Sequence, residues 1–140
     1  MGSAPRDANE ISGLVVDAAF HIYWELGFGL FETVYERLLA RALVRRGLFV
    51  ERQKSVSFEF DGEWFDEGFR ADLLVERCVL VEIKSVEKLD PIHFMQTRTY
   101  LRLIDCPVGL LINFNSVSFK NAVRRIPRPY TAAHASLIQT

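Results

Sequence analysis

The sequence predicts an α/β domain with a mixed central β-sheet flanked by helices, and three observations carry that prediction. Apolar residues recur at helical spacing before Gly47. From Phe49 the period changes to two, which is typical of strands with one buried face. One further helical segment then separates these strands from two more, as a crossover between strands of one sheet requires.

The first helix is predicted from an apolar stripe with spacings of three and four. The stripe consists of Ile11, Leu14, Val15, Ala18, Ala19 and Ile22. Asn9 or Ser12 could cap its start, and Gly27 ends it. A second helix is expected over about 30–46, before Gly47. Its predicted inward face consists of Phe31, Val34, Leu38, Leu39 and Ala42.

The strands are predicted from alternation and from turn residues. Asp61 and Gly62 form the strongest hairpin pattern in the chain, and the returning strand starts at Trp64. Further strands are expected over 69–75, 79–86, 108–114 and 119–126. A helix capped by Asp90 should begin at Pro91 and end near Ile104. We expect one domain over 1–140, with a core over about 10–126 and a surface tail over 127–140.

Composition narrows the classes of function. The chain is 49% hydrophobic with a formal net charge of −1, which suits a globular domain and excludes a general nucleic-acid packaging protein. Any contact with nucleic acid must therefore use local basic patches or a metal ion. The two cysteines form no CxxC pair, so a structural zinc site is not expected. No targeting segment or membrane span is apparent, which predicts a cytoplasmic protein.

The candidate chemistry lies on two neighbouring strands. Glu82 and Lys84 are two apart on one strand and therefore share a face. If a three-residue turn over 76–78 joins the strands, Asp72 lies opposite Glu82. Facing carboxylates repel, and a divalent cation such as Mg²⁺ or Mn²⁺ would offset that repulsion. Lys84 could hold an attacking water and stabilise phosphoryl charge. A solvated salt bridge is the alternative, although apolar neighbours favour a buried strand.

Three motifs together resemble a known family. Asp72 followed by Glu82-Ile83-Lys84 resembles the PD-(D/E)xK nuclease superfamily, with Ala71 in place of the motif's proline. The segment from Gln96 to Tyr100 is similar to the QxxxY helix motif of its RecB-like exonuclease branch. The segment 29–35, GLFETVY, resembles the element that names the GxxExxY proteins. The resemblance implies a restriction-endonuclease-like core.

The same resemblance implies a set of site residues. Asp72 and Glu82 would bind Mg²⁺ or Mn²⁺, and the carbonyl of Ile83 would add a ligand. Lys84 would be catalytic. Glu32 would face the pocket and touch the metal or its waters. The remaining implied residues are Gln96 and Tyr100, which are four apart on one helix face and could reach the site or a substrate phosphate, and Tyr35, which is expected to be structural.

The predicted function is therefore a metal-dependent nuclease that hydrolyses phosphodiester bonds of DNA, with RNA left open. The alternative is a catalytically silent module of the same fold that binds nucleic acid or protein. A homodimer or a protein partner is also left open. Basic residues could flank a phosphate backbone or form a solvated rim, and these are Arg98, Arg102, Lys120, Arg124, Arg125 and Arg128.

Overall fold

The structure, a computed structural model, describes residues 6–129. Within them five strands form one sheet, and helices cover both of its faces. In chain order the elements are α1 (Ala8–Leu26), α2 (Glu32–Arg45), β1 (Val50–Phe60), β2 (Glu63–Val75), β3 (Val79–Lys84), α3 (Pro91–Ile104), β4 (Val108–Asn113), α4 (Phe119–Ala122) and β5 (Val123–Pro127). The strand order follows the sequence, and only the β3–β4 pair is parallel. The predicted mixed sheet flanked by helices is confirmed.

Helix α1 buries the predicted stripe but has a different cap. The Asp7 carboxylate accepts the Glu10 N–H at 2.8 Å, so Asp7 is the N-cap and the expectation of Asn9 or Ser12 was wrong. The Ser12 hydroxyl instead donates to the Ala8 carbonyl within the helix. Gly27 ends α1 with a φ of 75°, a left-handed conformation that favours glycine.

The inward face of helix α2 was predicted correctly in part, since Leu39 is buried and Ala42 packs against the core. The buried residues are Tyr35, Glu36, Leu39, Ala40 and Leu43. Phe31 precedes the helix and is 81% exposed, and Val34 is exposed as well. The pattern misled because α2 also has apolar residues on its outer face, while the charged Glu36 is buried among hydrogen-bond donors from β1.

The β1–β2 hairpin is longer than predicted. Its turn lies at Asp61 and Gly62, which have φ values of 52° and 79°, as the sequence predicted. The segments starting at Trp64 and at Phe69 belong to one strand, β2, and are not separate. Gly68 lies inside that strand, and a glycine is needed there because a Cβ would come within 2.6 Å of the Phe58 ring. It is a packing glycine and does not break the strand.

Three boundaries in the second half differ from the predictions. β3 ends at Lys84 because the side chain of Asn113 hydrogen-bonds both the N–H and the carbonyl of Val86. The predicted strand 119–126 is in part the helical turn α4, since Phe119 packs on the rings of α1, and only β5 is extended. Pro127 pairs with Val108 at the end of β5, so it belongs to the sheet. Residues 130–140 of the expected tail lie outside the described residues.

The two faces of the sheet bury separate apolar clusters. Val79, Val81 and Ile83 point toward α1 and α2. Leu80 of the same strand points toward α3, where it packs with Leu101. Because side chains alternate along a strand, Glu82 and Lys84 belong to the α3 face. The fold therefore places the candidate site beside α3. No helix of residues 6–129 is long and apolar enough to cross a membrane.

Candidate active site

The register of β2 and β3 matches the one predicted from the sequence. Val75 pairs with Val79 across the turn, and the pairing continues to Leu73 and Val81. The next position along this register sets Asp72 against Glu82. The paired ladder stops there, so the two carboxylates lie where β2 and β3 cease to pair. A three-residue turn thus brings Asp72 and Glu82 together.

The Asp72 carboxylate replaces a backbone partner at this point. Its Oδ2 accepts the Ile83 N–H at 2.8 Å, and its Oδ1 accepts the side-chain amide of Gln53 at 3.3 Å. The Ile83 N–H is thereby satisfied by a side chain, as a buried backbone group requires. Burial raises the pKa of Asp72, and the bond from Ile83 offsets part of that rise. Asp72 is thus fixed against the backbone of the ExK strand.

Glu82 is the more deeply buried member of the pair. It is 5% exposed, and the Asp72 carboxylate is its charged neighbour. Its Oε1 has no hydrogen-bond partner among residues 6–129. Burial, followed by the neighbouring Asp72 charge, raises the pKa of Glu82 to about 9. At neutral pH the pair therefore retains a proton.

This geometry fits a divalent cation. An orphaned buried oxygen beside a second carboxylate is a donor set of the kind that hard cations take. No three His, Cys, Asp or Glu residues within 6–129 cluster closely enough to hold a metal. The chain therefore offers two carboxylates, and the adjoining carbonyl of Ile83 is a third oxygen of the expected set.

Lys84 completes the face. It is half-buried, and its charge lowers the pKa of both Asp72 and Glu82. No salt bridge in the described part of the chain involves Lys84. The ammonium group is therefore close enough to influence the acidic pair while its hydrogen-bond donors remain free for a ligand.

Helix α3 contributes Tyr100 and Gln96 from above the pair. The Tyr100 ring stacks on Phe69 with centroids 3.9 Å apart. Burial raises the pKa of Tyr100, and the charges of Glu82 and Asp72 raise it further. The Gln96 side chain acts in the opposite direction and lowers the pKa of the Tyr100 hydroxyl. The phenol is thus near the acidic pair, while Gln96 is exposed at the mouth of the site.

The sequence profile of the PD-(D/E)XK nuclease superfamily matches residues 9–126. The chain belongs to this superfamily. Superfamily members are usually nucleases, they generally use divalent metals, and their substrates are nucleic acids. The search of curated proteins finds no match. A solved structure described as "Crystal structure of SSO0001" is 19% identical, covers 92% of this chain and 70% of its own, and has a TM-score of 0.48. That similarity carries no functional argument.

The superfamily's core motif is present here as Asp72 and Glu82-Ile83-Lys84, and the structure brings these residues to one place. Assignment to the GxxExxY proteins or to the RecB-like branch stays a prediction. Tyr35 of the GxxExxY-like segment donates to the Gly27 carbonyl at 2.8 Å and accepts the Leu30 N–H at 3.2 Å. It holds the loop between α1 and α2, as expected for a structural residue.

Glu32 lies at the end of β3. Its Oε1 accepts the Ser85 N–H at 3.1 Å, and the Ser85 hydroxyl donates to the Leu30 carbonyl at 2.8 Å. This contact anchors the start of α2 to the residue that follows Lys84. The structure thus places Glu32 next to the strand that carries the ExK motif, and a role toward the metal stays a prediction.

A buried glutamate that the sequence reasoning missed lies one turn after Glu32. Glu36 is 4% exposed, accepts Arg52 Nη2 at 3.0 Å, and is hydrogen-bonded to the Gln53 amide. Gln53 also contacts Asp72, and the Glu36 charge raises the pKa of Asp72. Glu32 and Glu36 are four residues apart and therefore lie on one face of α2. The apolar pattern of the sequence did not indicate that Glu36 is buried.

Two of the basic residues near the C-terminal end, Arg125 and Arg128, form contacts within the protein. Arg125 donates to the Ser12 hydroxyl at 3.0 Å and to Asn9. Arg128 forms an ion pair with Asp105 at 2.5 Å and donates to backbone carbonyls of α3. These two side chains are therefore tied to α1 and α3, which leaves fewer free charges for a phosphate backbone than the sequence suggested.

Proposed function

We propose that this chain hydrolyses phosphodiester bonds of DNA or RNA with Mg²⁺ or Mn²⁺. The observation that supports this most is the pair of carboxylates at the end of the β2–β3 ladder. Asp72 and Glu82 face each other, Oε1 of Glu82 lacks a hydrogen-bond partner within residues 6–129, and Lys84 shares their face. Superfamily membership supplies the expectation of nucleic acid as the substrate.

Asp72, Glu82 and the Ile83 carbonyl would hold the cation. When bound, it supplies Lewis acidity toward a phosphoryl oxygen and lowers the pKa of an attacking water. Asp72 is already oriented by the Ile83 N–H, so little rearrangement of that side chain is required. Glu82 must release its proton, because a carboxyl binds a cation only when it is ionised.

The remaining side chains act on water and substrate. Lys84 would orient the attacking water and stabilise the negative charge that grows on the phosphoryl oxygens. The Tyr100 hydroxyl and the Gln96 amide would donate hydrogen bonds to a substrate phosphate from the α3 side. Glu32 would support the site through the Ser85 backbone or through waters of the metal.

A non-catalytic module of the same fold is the second candidate. It is favoured by the small number of acidic ligands, since no three-residue metal cluster occurs within 6–129. This alternative predicts binding of nucleic acid or protein without cleavage. The intact set of Asp72, Glu82 and Lys84 supports the enzyme instead, because the proposed hydrolysis requires two carboxylates for the cation and a positive charge beside them.

The decisive test is cleavage of labelled single- and double-stranded DNA and RNA with Mg²⁺ or Mn²⁺. Wild type should cleave at least one of these, and chelator should stop the reaction. Asp72→Asn and Lys84→Ala should lower the rate by on the order of a hundredfold or more. Asp66→Asn, a matched change on the exposed part of β2, should leave it unchanged.

A parallel measurement of thermal stability separates the two candidates. Mg²⁺ or Mn²⁺ should raise the melting temperature of wild type and of Asp66→Asn, since a ligand that binds the folded state stabilises it by mass action. Asp72→Asn should not respond. A folded wild type that responds to metal and yet cleaves none of the four substrates would contradict the enzyme and support the non-catalytic module.

A further inference from the structure

Helix α2 carries a row of arginines on its outer side. Arg37, Arg41 and Arg45 recur at every fourth residue, so they lie on one face with a rise of about 6 Å between neighbours. All three are exposed. Within the described residues none of them forms a salt bridge or a hydrogen bond to another side chain. We call these three residues the arginine row.

The arginine row borders a groove between α2 and the edge strand β1. The groove has a volume of about 700 Å³, and Arg52 of β1 adds a fourth arginine to its wall. Its apolar lining comes from Val34, Leu38 and Val44. The groove thus combines several positive charges with an apolar surface, in a chain whose formal net charge is −1.

Two side chains connect this groove to the acidic pair. Arg52 of the groove wall bonds Glu36 at 3.0 Å, and Gln53 bonds both Glu36 and, at 3.3 Å, Asp72. A molecule that lies along α2 and contacts Arg52 is therefore separated from Asp72 only by the Glu36–Gln53 pair. This chain of hydrogen bonds runs from the groove wall on the α2 side to Asp72 at the end of the β2–β3 ladder.

The unpaired charges of the arginine row suit an anionic ligand. Like charges at i and i+4 destabilise a helix, and this row repeats them twice without an acidic partner in the described part of the chain. A phosphodiester backbone complements the row, because its charges also repeat at regular intervals and the guanidinium fork matches phosphate oxygens. The apolar side chains between the arginines suit contact with sugars.

We propose that the arginine row and Arg52 bind the phosphate backbone of a nucleic-acid strand and lead that strand to Asp72 and Glu82. The proposal deepens the proposed function by naming where the substrate lies, and it rests on that function only in taking the bound strand as substrate. An acidic protein segment is the other ligand that such a groove could take, and oligonucleotide binding distinguishes it from a nucleic-acid strand.

The test measures binding without cleavage. Fluorescence anisotropy with labelled single- and double-stranded oligonucleotides, in chelator and over a range of salt, gives the affinity and its salt dependence. The triple variant Arg37→Gln/Arg41→Gln/Arg45→Gln should bind at least about tenfold more weakly near 50 mM salt. Loss of three phosphate contacts should reduce the slope of log K against log salt by about 2 for a single strand.

A matched control removes the same charge elsewhere. Arg6→Gln/Arg70→Gln/Arg77→Gln neutralises three exposed residues before α1, on β2 and in the β2–β3 turn, none of which lines the groove. This variant should bind as wild type does. Melting curves check that both triple variants are folded. If the arginine-row variant is unfolded, Arg41→Gln alone replaces it, and the expected reduction in slope is then roughly 0.7.

The outcomes separate this inference from the nuclease assignment. Binding that depends on the arginine row supports the inference even if no substrate is cleaved. Equal losses in both triple variants would reduce the effect to net charge and overturn it. Binding that the arginine row does not affect, or a wild type that binds no oligonucleotide, would also overturn it and favour the acidic protein segment, whether or not cleavage occurs.

Discussion

Glu36 and Glu82 are buried to nearly the same extent, 4% and 5% exposed, and they differ in their hydrogen-bond partners. Glu36 on α2 accepts hydrogen bonds from Arg52 and Gln53. Glu82 on β3 faces another carboxylate, and its Oε1 has no partner among residues 6–129. One glutamate is neutralised by protein donors, and the other is held in a site that suits a cation.

The comparison shows that burial alone does not identify a functional carboxylate. A buried charge is tolerated where donors compensate it, and its ionisation is suppressed where they do not. The pKa of Glu82 is raised to about 9 for this reason. Oε1 of Glu51 also lacks a hydrogen-bond partner within residues 6–129, but Glu51 forms ion pairs with Lys54 and Arg77. Unmet hydrogen-bonding capacity beside a second carboxylate is therefore the feature that marks the candidate site.

The largest expected difference between the two glutamates is in cleavage. Glu82→Gln should lower the rate by on the order of a thousandfold, because an amide is a poor ligand for a hard cation. Glu36→Gln should lower it by at most about tenfold, since Glu36 acts on Asp72 only through Gln53 and charge. Single-turnover assays on the best substrate measure both. Equal losses of rate in the two variants would mean that Glu82 is no more important for cleavage than Glu36.

The second difference is in stability as pH changes. Glu82 has a pKa near 9 in the folded protein and an ordinary value of 4.5. The contribution of Glu82 to the free energy of unfolding is fully present below pH 4.5. It falls as the side chain ionises in the unfolded chain, and it is lost by about pH 9. Glu82→Gln should therefore be more stable than wild type near pH 8 in chelator, by on the order of a few kcal/mol.

Urea unfolding between pH 5 and pH 9 measures this difference, and subtracting the two curves removes the other titrating groups. Glu36→Gln is the control and should give no gain near pH 8, because it weakens hydrogen bonds from Arg52 and Gln53. Mg²⁺ should stabilise wild type at pH 8 and leave Glu82→Gln unchanged. Parallel curves for wild type and Glu82→Gln would mean that Glu82 is ionised in the folded protein.

The smallest expected effect on cleavage is that of a substitution at Tyr100, on helix α3 near Glu82. Tyr100→Phe keeps the stack on Phe69 and removes the hydroxyl, so cleavage should fall by about tenfold or less. Tyr23→Phe removes a hydroxyl that donates to the Ser116 carbonyl at 2.7 Å. This control should lose roughly 1 kcal/mol of stability and no activity. An unchanged rate in Tyr100→Phe would limit Tyr100 to packing.

Local patterns predicted those features in which each residue acts with its sequence neighbours. The α1 stripe, the Asp61-Gly62 turn and the Asp90 cap of α3 were predicted correctly, because each depends on a few adjacent residues. The register of Asp72 against Glu82 followed from the turn length alone. The start of the last strand and part of the inward face of α2 were predicted wrongly, since distant contacts decide them.

The sequence by itself determined the α/β class, the spacing of the ExK strand and the pair of carboxylates, because periodicity and turn length are local properties of the chain. The tertiary structure alone decided which charges are compensated. It brought Arg52 and Gln53 to Glu36, left Glu82 against Asp72, and tied Arg125 to α1. Compensation requires partners from other elements, and only packing selects those partners.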